Sequence, residues 1–530
     1  MVFPILTSTQ MRAAEEAAFA RGVDVEALMD KAGGGVAQAV ARFFHKPGKC
    51  IVFAGKGNNA GDALVAAERL RSIGWKIEVR LAFQEADCSG LMRKKLESLR
   101  RRPPEIIGGT PSRSGGTDLG VVLLELLEEV PDQPGTATEA MAAEAYMVTT
   151  AAPLIILDGL LGLGAKPPLR DPIRAACRSI NQLRTNKGAY VFAVDLPTGL
   201  DGDSGKTDRD CVVADWTVTI GFAKPGLLAD DALNFVGRLE VVQLEELRSP
   251  EKRAKEVVAA LPALRELLPR RKFGTYKNQC GRVGVVAGSR GFVGAALMSS
   301  QGALRAGAGL VEVFVPEEIY ELIASTAPME SMVKPLQSYR DLLKEKPDVW
   351  AVGPGLGKSR AAEILELIEK AKQPMVIDAD GLNILAEKIS TLKRCKGKRL
   401  LTPHPGEMKR LSPDEKETRA KTATKFCQRF PVTLLLKGSR TIVAERDCPL
   451  SYNTTGNPGM ATGGMGDILT GVCAGLAGQG LSFYDAARLG AWLCGRAAEI
   501  AIFDGSQSEQ SLLPRDILDN LGTAFKELNG

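Results

Sequence analysis

The sequence predicts an α/β protein of two domains, each built on a parallel sheet, and three observations carry that expectation. Its 530 residues exceed what one hydrophobic core usually supports. Strand-like apolar runs alternate with helical patterns through both halves, the signature of parallel α/β sheets. Between the halves lies a charged, proline-punctuated stretch, LEELRSPEKRAKEVVAALPALRELLPRRKFGTYKNQCG, which reads as a linker with the boundary near residue 250. The expected domains are therefore residues 1–250 and 265–530.

In the first half, KCIVFAG (49–55) is a strand followed by a Gly/Asn loop and a helix expected to start near Asp62. KIEVRLAF, PLIILDGLLGLG, AYVFAVDLPTGLDGDSG and ADWTVTIGF supply the next strands, each with its loop. The Gly- and Pro-rich stretch from about Gly108 to Gly135, with the Ala-rich segment behind it, reads as a loose insertion. In the second half, GRVGVVAGS, LVEVFVP, VWAVGPGLG, PMVIDADGL, RLLTPHPGE and VTLLLKGS repeat the strand-then-loop pattern. Ligands of open parallel sheets bind beyond the carboxyl ends of the strands, where all these loops lie.

Composition narrows the class of function. Hydrophobic residues at 45% and charged residues at 25% are ordinary for a soluble globular chain. A formal charge of +5 is small for this length and does not mark a nucleic-acid or membrane-surface protein. The one dense basic run, RKKLESLRRRPP (93–104), reads as a solvated helix face ending at Pro103. The ten cysteines form no CxxC pair and are expected to be reduced, packed thiols in the cytoplasm. Two histidines, His45 and His404, exclude a multi-histidine zinc site. The N-terminus lacks a basic start followed by an apolar core, so neither export nor a membrane span is expected.

The richest chemistry stands at residues 457–467, NPGMATGGMGD, which run into the helical pattern ILTGVCAGLAGQG. Gly463, Gly464 and Gly466 can turn backbone N–H groups toward one point, and the helix adds its own unpaired N–H groups and dipole. The result is an anion hole, most often for phosphate. Asp467 would repel that phosphate unless it acts as a base on a hydroxyl beside it, the alternative being a helix cap. GSRGFVGA and GPGLG (353–357) offer glycine-lined walls, and TPHPGE holds His404 between two prolines. In LKGSRT, Lys437 and Ser439 are placed to meet nucleotide phosphates. No GxxxxGK[ST] is present, so this is not a Walker-type site.

Together GSRGFVGA, GPGLG, TPHPGE, LKGSRT and GNPGMATGGMGD closely resemble the ADP-dependent dehydratases that repair hydrated NADH and NADPH, over about residues 265–528. The resemblance implies a ribokinase-like three-layer α/β sandwich. It implies a hydrate pocket at Ala295, Gly355, His404 and Asp467, a nucleotide held by Lys437, Gly438, Ser439, Arg440, Thr441 and Gly466, and ADP as co-substrate with Mg2+. Asp467 would activate the C6 hydroxyl, which ADP phosphorylates, and departure of phosphate restores the double bond. An ordinary ribokinase-like kinase is the rival reading. It would not be expected to carry TPHPGE behind the first half found here.

In the first half, AGKGNNAGDALVAAERL (54–70) repeats the glycine-loop logic, but its spacing is not that of a GxGxxG dinucleotide fingerprint. Asn58 and Asn59, with Asp158 in LDGLLGLGAK and Thr198 in VDLPTGLD, gather neutral oxygens around one carboxylate. That set suits a weakly charged hard cation, although Asn-Asn and Asp-Gly also serve as plain turn formers. LTSTQMRAAEEAA, GKGNNAGDA, DGLLGLGAK and VDLPTGLDGDSG resemble the NAD(P)H-hydrate epimerase domain over about residues 5–245. The resemblance implies a Rossmann-like three-layer sandwich that interconverts R and S hydrates at C6. K+ would sit on Asn59, Asp158 and Thr198. The hydrate would meet Asn58, Asn59, Ala60, Gly61, Asp62, the loop Gly162, Leu163, Gly164, Ala165, Lys166, Pro167 and Pro168, and Asp195, with Lys166 and Asp195 as the catalytic pair. The family's NNGGDG is NNAGDA here, and Thr198 replaces its serine. A homo-oligomer is expected, with NADH and NADPH hydrates as substrates; a binding module without activity is the alternative for this half.

Overall fold

Runs of Val, Ile, Leu and Phe settle into two sheets, one in each of two units. The structure, a computed structural model, describes residues 3–101, 122–125, 152–251, 253–268, 270–413 and 417–529. One unit is Ile5–Lys252; the other is Arg253–Gly530 together with Met1–Pro4.

The first sheet contains β1 (Lys49–Ala54), β2 (Lys76–Leu81), β3 (Val122–Glu125), β4 (Leu154–Gly159), β5 (Tyr190–Val194), β6 (Trp216–Ile220) and β7 (Arg238–Val242). Their order is β3-β2-β1-β4-β5-β6-β7 with every pairing parallel. Successive residues of β1 and β4 to β6 are buried, which requires cover on both faces of the sheet. On one face Ile51, Ile156, Val191 and Ala193 pack with Ile173, Ala176 and Ile180 of helix Ile173–Lys187. On the other, Phe192 stacks on its register partner Trp216 at 4.8 Å, and Phe43 of helix Val25–Phe43 lies 5.1 Å from that indole.

The second sheet contains β8 (Glu256–Val258), β9 (Arg282–Val286), β10 (Leu310–Pro316), β11 (Ser331–Leu336), β12 (Val349–Val352), β13 (Met375–Ile377), β14 (Arg399–Leu401), β15 (Thr433–Leu436), β16 (Ile442–Ala444) and β17 (Leu450–Tyr452). The order is β11-β10-β9-β12-β13-β14-β15-β16-β17-β8, antiparallel only where β16 meets β15 and β17. Val283, Val285, Val313, Ala351 and Leu400 share one core with Ile468, Val472, Ala487 and Leu521 of the C-terminal helices. Burying a side chain of this size stabilises by roughly 1.5–3 kcal/mol. Gly284 of β9 sits beneath its register partner Trp350, because a Cβ there would come within 2.5 Å of the indole.

Three expectations need correction. The linker around residue 250 is partly structured: β8 pairs with β17, and Val258 N donates to Phe3 O, which draws the chain's start into the second unit. The short helix Leu261–Arg265 follows. Within the stretch read as an insertion, Val122–Glu125 is a strand paired with β2; the remainder of Gly108–Gly135 and the Ala-rich segment behind it lie outside the described residues. The helix after β1 starts at Asn58, not Asp62, because the glycine turn ends at its N-cap Gly57. The basic run forms helix Gly90–Arg101, its charges met by Lys94–Glu26, Lys95–Asp30 and Arg100–Glu85 ion pairs; residues 102–104 lie outside the described residues.

Candidate active sites

In the second unit, five loops converge at strand ends. After β9, Ser289 Oγ donates to Gly355 O at 2.7 Å and Gly288 N to Pro354 O at 2.8 Å, so GSRG and GPGLG are tied together. Gly355 has φ +63°, and a Cβ there would come within 3.0 Å of Ala295 Cβ and 2.9 Å of Phe292 Cβ. The two expected hydrate residues Ala295 and Gly355 therefore form one wall, with Phe292 exposed at its lip. Lys437 N, at the end of β15, donates to Pro403 O at 2.8 Å and so joins the nucleotide loop to TPHPGE.

Asp467 stands in the first turn of helix Met465–Gly478, whose N-cap is Gly464 at φ +96° with no side-chain cap bond. The cap reading is thus not realised. Among the described residues the Asp467 carboxyl accepts no hydrogen bond, and burial, followed by the charge of Asp378, pushes its pKa up to about 7. Lys437 Nζ is 2.7 Å from Asp378 Oδ1 and 3.9 Å from Glu407 Oε2. Thr470 Oγ1 donates to Asp378 Oδ2 at 2.9 Å. Burial opposes the Lys437 ammonium, yet Asp378, Glu407 and Asp467 hold its pKa above the ordinary lysine value. A Cβ at Gly466 would come within 3.1 Å of Lys437 Nζ, so glycine lets the helix start close over this ion pair.

His404 is the N-cap of helix Pro405–Leu411: its Nδ1 accepts from Gly406 N at 3.0 Å and Glu407 N at 3.3 Å, while Glu407 Oε2 accepts from His404 N at 2.8 Å. Nδ1 being the acceptor, Nε2 carries the ring proton on the half-exposed side. Of the expected nucleotide residues, Gly438 and Ser439 are exposed, Thr441 Oγ1 donates to Gly438 O at 3.1 Å, and Arg440 is buried. Arg440 does not present its guanidinium on the surface beside Ser439.

In the first unit, Asp158 is fully buried at the end of β4. Its Oδ1 accepts from Thr198 Oγ1 at 2.7 Å and its Oδ2 from Thr198 N at 2.8 Å. Leu161 links the third member: its N donates to Thr198 Oγ1 at 3.2 Å and its O accepts from Asn59 Nδ2 at 3.1 Å. Asn59, Asp158 and Thr198 are brought together as expected from sequence. Burial pushes Asp158 up to about 6, and no cationic side chain among the described residues touches it. Gly162 abuts Asn59, a Cβ there falling 3.1 Å from Asn59 Oδ1. Gly164, at φ +92°, lies against the Arg12 guanidinium, and Leu163, Ala165, Pro167 and Pro168 complete that loop. Asn58, Ala60, Gly61 and Asp62 lie in the first turns of the helix. Ala60 is fully buried, so its methyl packs inward, and Gly61 faces Met29.

Lys166 and Asp195, the expected catalytic pair, make no ion pair with each other among the described residues. Lys166 is exposed on its loop, and the lysine against Asp195 is Lys224, fully buried, whose Nζ donates to Asp195 Oδ1. Asp195 has φ +66°, a left-handed conformation rare for a residue with a Cβ and concentrated at functional sites. Burial, then Asp195 and Glu15, push Asp62 well above the ordinary carboxylate range; burial, then Asp195, raises Glu15.

A family described as NAD(P)H-hydrate dehydratase matches residues 283–521, and one described as YjeF-related protein N-terminus matches residues 25–226. Among solved structures, the ADP/ATP-dependent NAD(P)H-hydrate dehydratase of Bacillus subtilis, co-crystallized with ATP/Mg2+, is 28% identical and covers 51% of this chain and 97% of that chain at a TM-score of 0.46. The bifunctional NAD(P)H-hydrate repair enzyme of Escherichia coli is 33% identical over 92% of this chain and 88% of its own length. That of Moorella thermoacetica is 35% identical over 94% and 92%. The chain belongs to the family of bifunctional NAD(P)H-hydrate repair enzymes.

For such a repair enzyme, motif reading missed Asp378, Glu407 and Thr470 in the dehydratase unit and Lys224, Glu15 and Arg12 in the other. Asp378 and Glu407 stood in the quoted strings PMVIDADGL and TPHPGE, at the strand ends that marked the other candidates. Lys224 follows β6 by four residues, and its role shows only once the chain folds back onto Asp195.

Proposed function

We propose that the second unit dehydrates the S hydrate of NADH and NADPH at the expense of ADP, giving AMP and phosphate, and that the first unit interconverts the R and S hydrates at C6. The observation that carries the dehydratase reading is Asp467, an unpaired carboxyl held near pKa 7 over the Lys437–Asp378 ion pair at a glycine-lipped helix start. A base poised near the working pH takes the C6 hydroxyl proton as that oxygen attacks the terminal phosphorus of ADP. Hydroxide leaves carbon poorly and phosphate leaves well, so phosphorylation prepares the elimination. Incubating S hydrate with ADP and the full chain tests this: reduced nicotinamide and AMP should appear in equal amounts, and hydrate loss without AMP would refute it.

Mg2+ fits as an ion carried in on the nucleotide. Asp378 has both oxygens engaged, Glu407 Oε2 accepts from His404 N, and no group of three His, Cys, Asp or Glu side chains among the described residues is placed to hold a metal, so the nucleotide phosphates rather than a carboxylate cluster would hold the ion. Its chemistry there is neutralisation of phosphate charge. K+ fits the first unit, since Asp158 is a buried carboxylate without a cationic partner among the described residues, bonded by Thr198 and linked through Leu161 to Asn59, whose side chains would supply neutral oxygens. Held by Asn59, Asp158 and Thr198, the ion would supply the positive charge that Asp158 lacks, next to the loop at Gly162. Free thiols at all ten cysteines support placement in the cytoplasm. No described helix is long and apolar enough to cross a membrane. Exposed Leu322, Met329 and Met332 beside the edge strand β11 support assembly as a homo-oligomer.

A further inference from the structure

Resting on the epimerase reading of the first unit, we infer that Lys224 is a positioning residue of the epimerase. Its ammonium ties down one oxygen of Asp195 and leaves the other, Oδ2, as the atom that takes the C6 hydroxyl proton of the hydrate.

Three donors converge on Asp195 Oδ1: Lys224 Nζ, Thr219 Oγ1 at 3.1 Å and Ile220 N at 3.1 Å. Lys224 Nζ also donates to Thr219 Oγ1 at 3.0 Å and Ile220 O at 3.1 Å, so its three protons are all engaged. With 0% exposure, Lys224 is walled off from any ligand and acts only through Asp195. Asp195 Oδ2 receives no hydrogen bond from a described residue, and the side chain keeps 10% exposure, so this oxygen is the part of the carboxylate open to a substrate. The left-handed backbone at Asp195 is fixed by Asp195 N donating to Val218 O at 2.9 Å and Leu196 N to Val194 O at 2.9 Å. One oxygen clamped on a fixed backbone orients the other.

The charged groups that act on or with Asp195 are Glu15 on helix Ser8–Ala20, Asp62 on helix Asn58–Ser72 and Lys224, while Arg12 and Glu16 stand beside Glu15 on the same helix. In the step assigned to Asp195, the hydrate O–H bond breaks and its proton forms an O–H bond at Oδ2, while the freed electron pair makes the C6–O double bond as the C6–N1 bond breaks and its pair moves onto N1. Return of that pair to the other face of C6, with the proton given back to oxygen, yields the other epimer.

The test uses the full chain and follows R-to-S conversion of NADH hydrate by NMR for wild type, Lys224→Met, Lys224→Arg, Asp195→Asn and the Lys224→Met/Asp195→Asn double variant. Lys224→Met should lower epimerisation kcat at least about tenfold while KM moves less than about twofold, since misplacement of a reacting group by about 1 Å can cost a hundredfold. Lys224→Arg, which restores a cation, should recover part of that loss. Adding Lys224→Met to Asp195→Asn should change nothing further, because the lysine acts through that carboxylate. A Lys224→Met chain that epimerises at the wild-type rate, or a second full loss when Lys224→Met is added to the Asp195→Asn variant, overturns the inference. Should Lys224→Met fail to fold, Thr219→Val removes a single donor to Oδ1 and should give a smaller kcat loss in the same direction; unchanged kcat overturns it equally. Wild type without epimerase activity would instead remove the reading underneath, and is distinguished by occurring before any substitution.

Discussion

Replacing Asp467 with Asn separates a catalytic carboxylate from a structural one, because the two roles move rate and stability in opposite directions. A general base contributes about 10²–10⁴ in rate. The isosteric amide should therefore lower dehydration kcat at least about a hundredfold, roughly 2.7 kcal/mol of barrier. Stability should rise. Burial and Asp378 hold the carboxyl at about 7, so the folded chain keeps a proton that the unfolded chain releases, and the group's contribution to stability falls as pH rises from about 4 to about 7. Three pKa units correspond to at most about 4 kcal/mol. Solvent access and the lost attraction of a carboxylate to the helix start, itself about 0.3–1 kcal/mol, reduce the net gain of the Asn variant to the order of 1 kcal/mol at pH 8. That raises the melting temperature by roughly 2–4 °C in a domain of this size, and the advantage should shrink toward pH 4. In wild type, kcat should fall about tenfold from pH 8 to pH 6 as Asp467 takes up its proton. The assays are steady-state dehydration with ADP, ADP titration, and thermal melts across pH. A variant that melts lower at pH 8 and loses less than about tenfold in kcat would return Asp467 to a structural role.

His404→Ala should remove a helix cap, costing about 1 kcal/mol, and weaken hydrate binding more than ADP binding; His404→Asn should restore the melt but not the hydrate affinity, and equal weakening of both ligands would refute the hydrate contact. Withdrawing K+ should slow epimerisation and leave dehydration of pure S hydrate unchanged. Because Asp158 sits at about 6 without a cation, K+ should raise the melting temperature of the first unit more at pH 8 than at pH 5, and a pH-independent increment would contradict the site. ADP should support dehydration better than ATP, since a pocket that seats the β-phosphate over Gly463–Gly466 tolerates only about 1 Å of error at the reacting phosphorus; a clear preference for ATP in initial rates would overturn this.

Strand runs such as KCIVFAG and VTLLLKGS were legible because strands buried on both faces read as unbroken apolar stretches, and the loops after them carry the glycines that ligand approach requires. Short edge elements were not. Glu256–Val258 hides in a charged run because three residues carry too little periodicity to register, and its pairing with β17 is a long-range event. The same distinction runs through the sites. Asn59, Asp158 and Thr198 lie at adjacent strand ends and could be grouped from topology alone. Lys166 was named with Asp195 from its place in a quoted motif, whereas the lysine in contact with Asp195 is Lys224, 29 positions away, and that contact depends on how the chain turns after β6. Asp378 carries no glycine-rich flag, and its work is to hold Lys437, which only three-dimensional proximity shows.

The central claim, two activities in series on one chain, is tested most directly by a single progress curve. The full chain, given ADP and an R/S mixture of NADH hydrate, should convert the whole mixture to NADH in one rapid phase, while the Asp195→Ala chain should stop near the S fraction and then creep at the spontaneous epimerisation rate. An Asp195→Ala chain that consumes both epimers as fast as wild type would contradict the account and leave the first unit as a binding module.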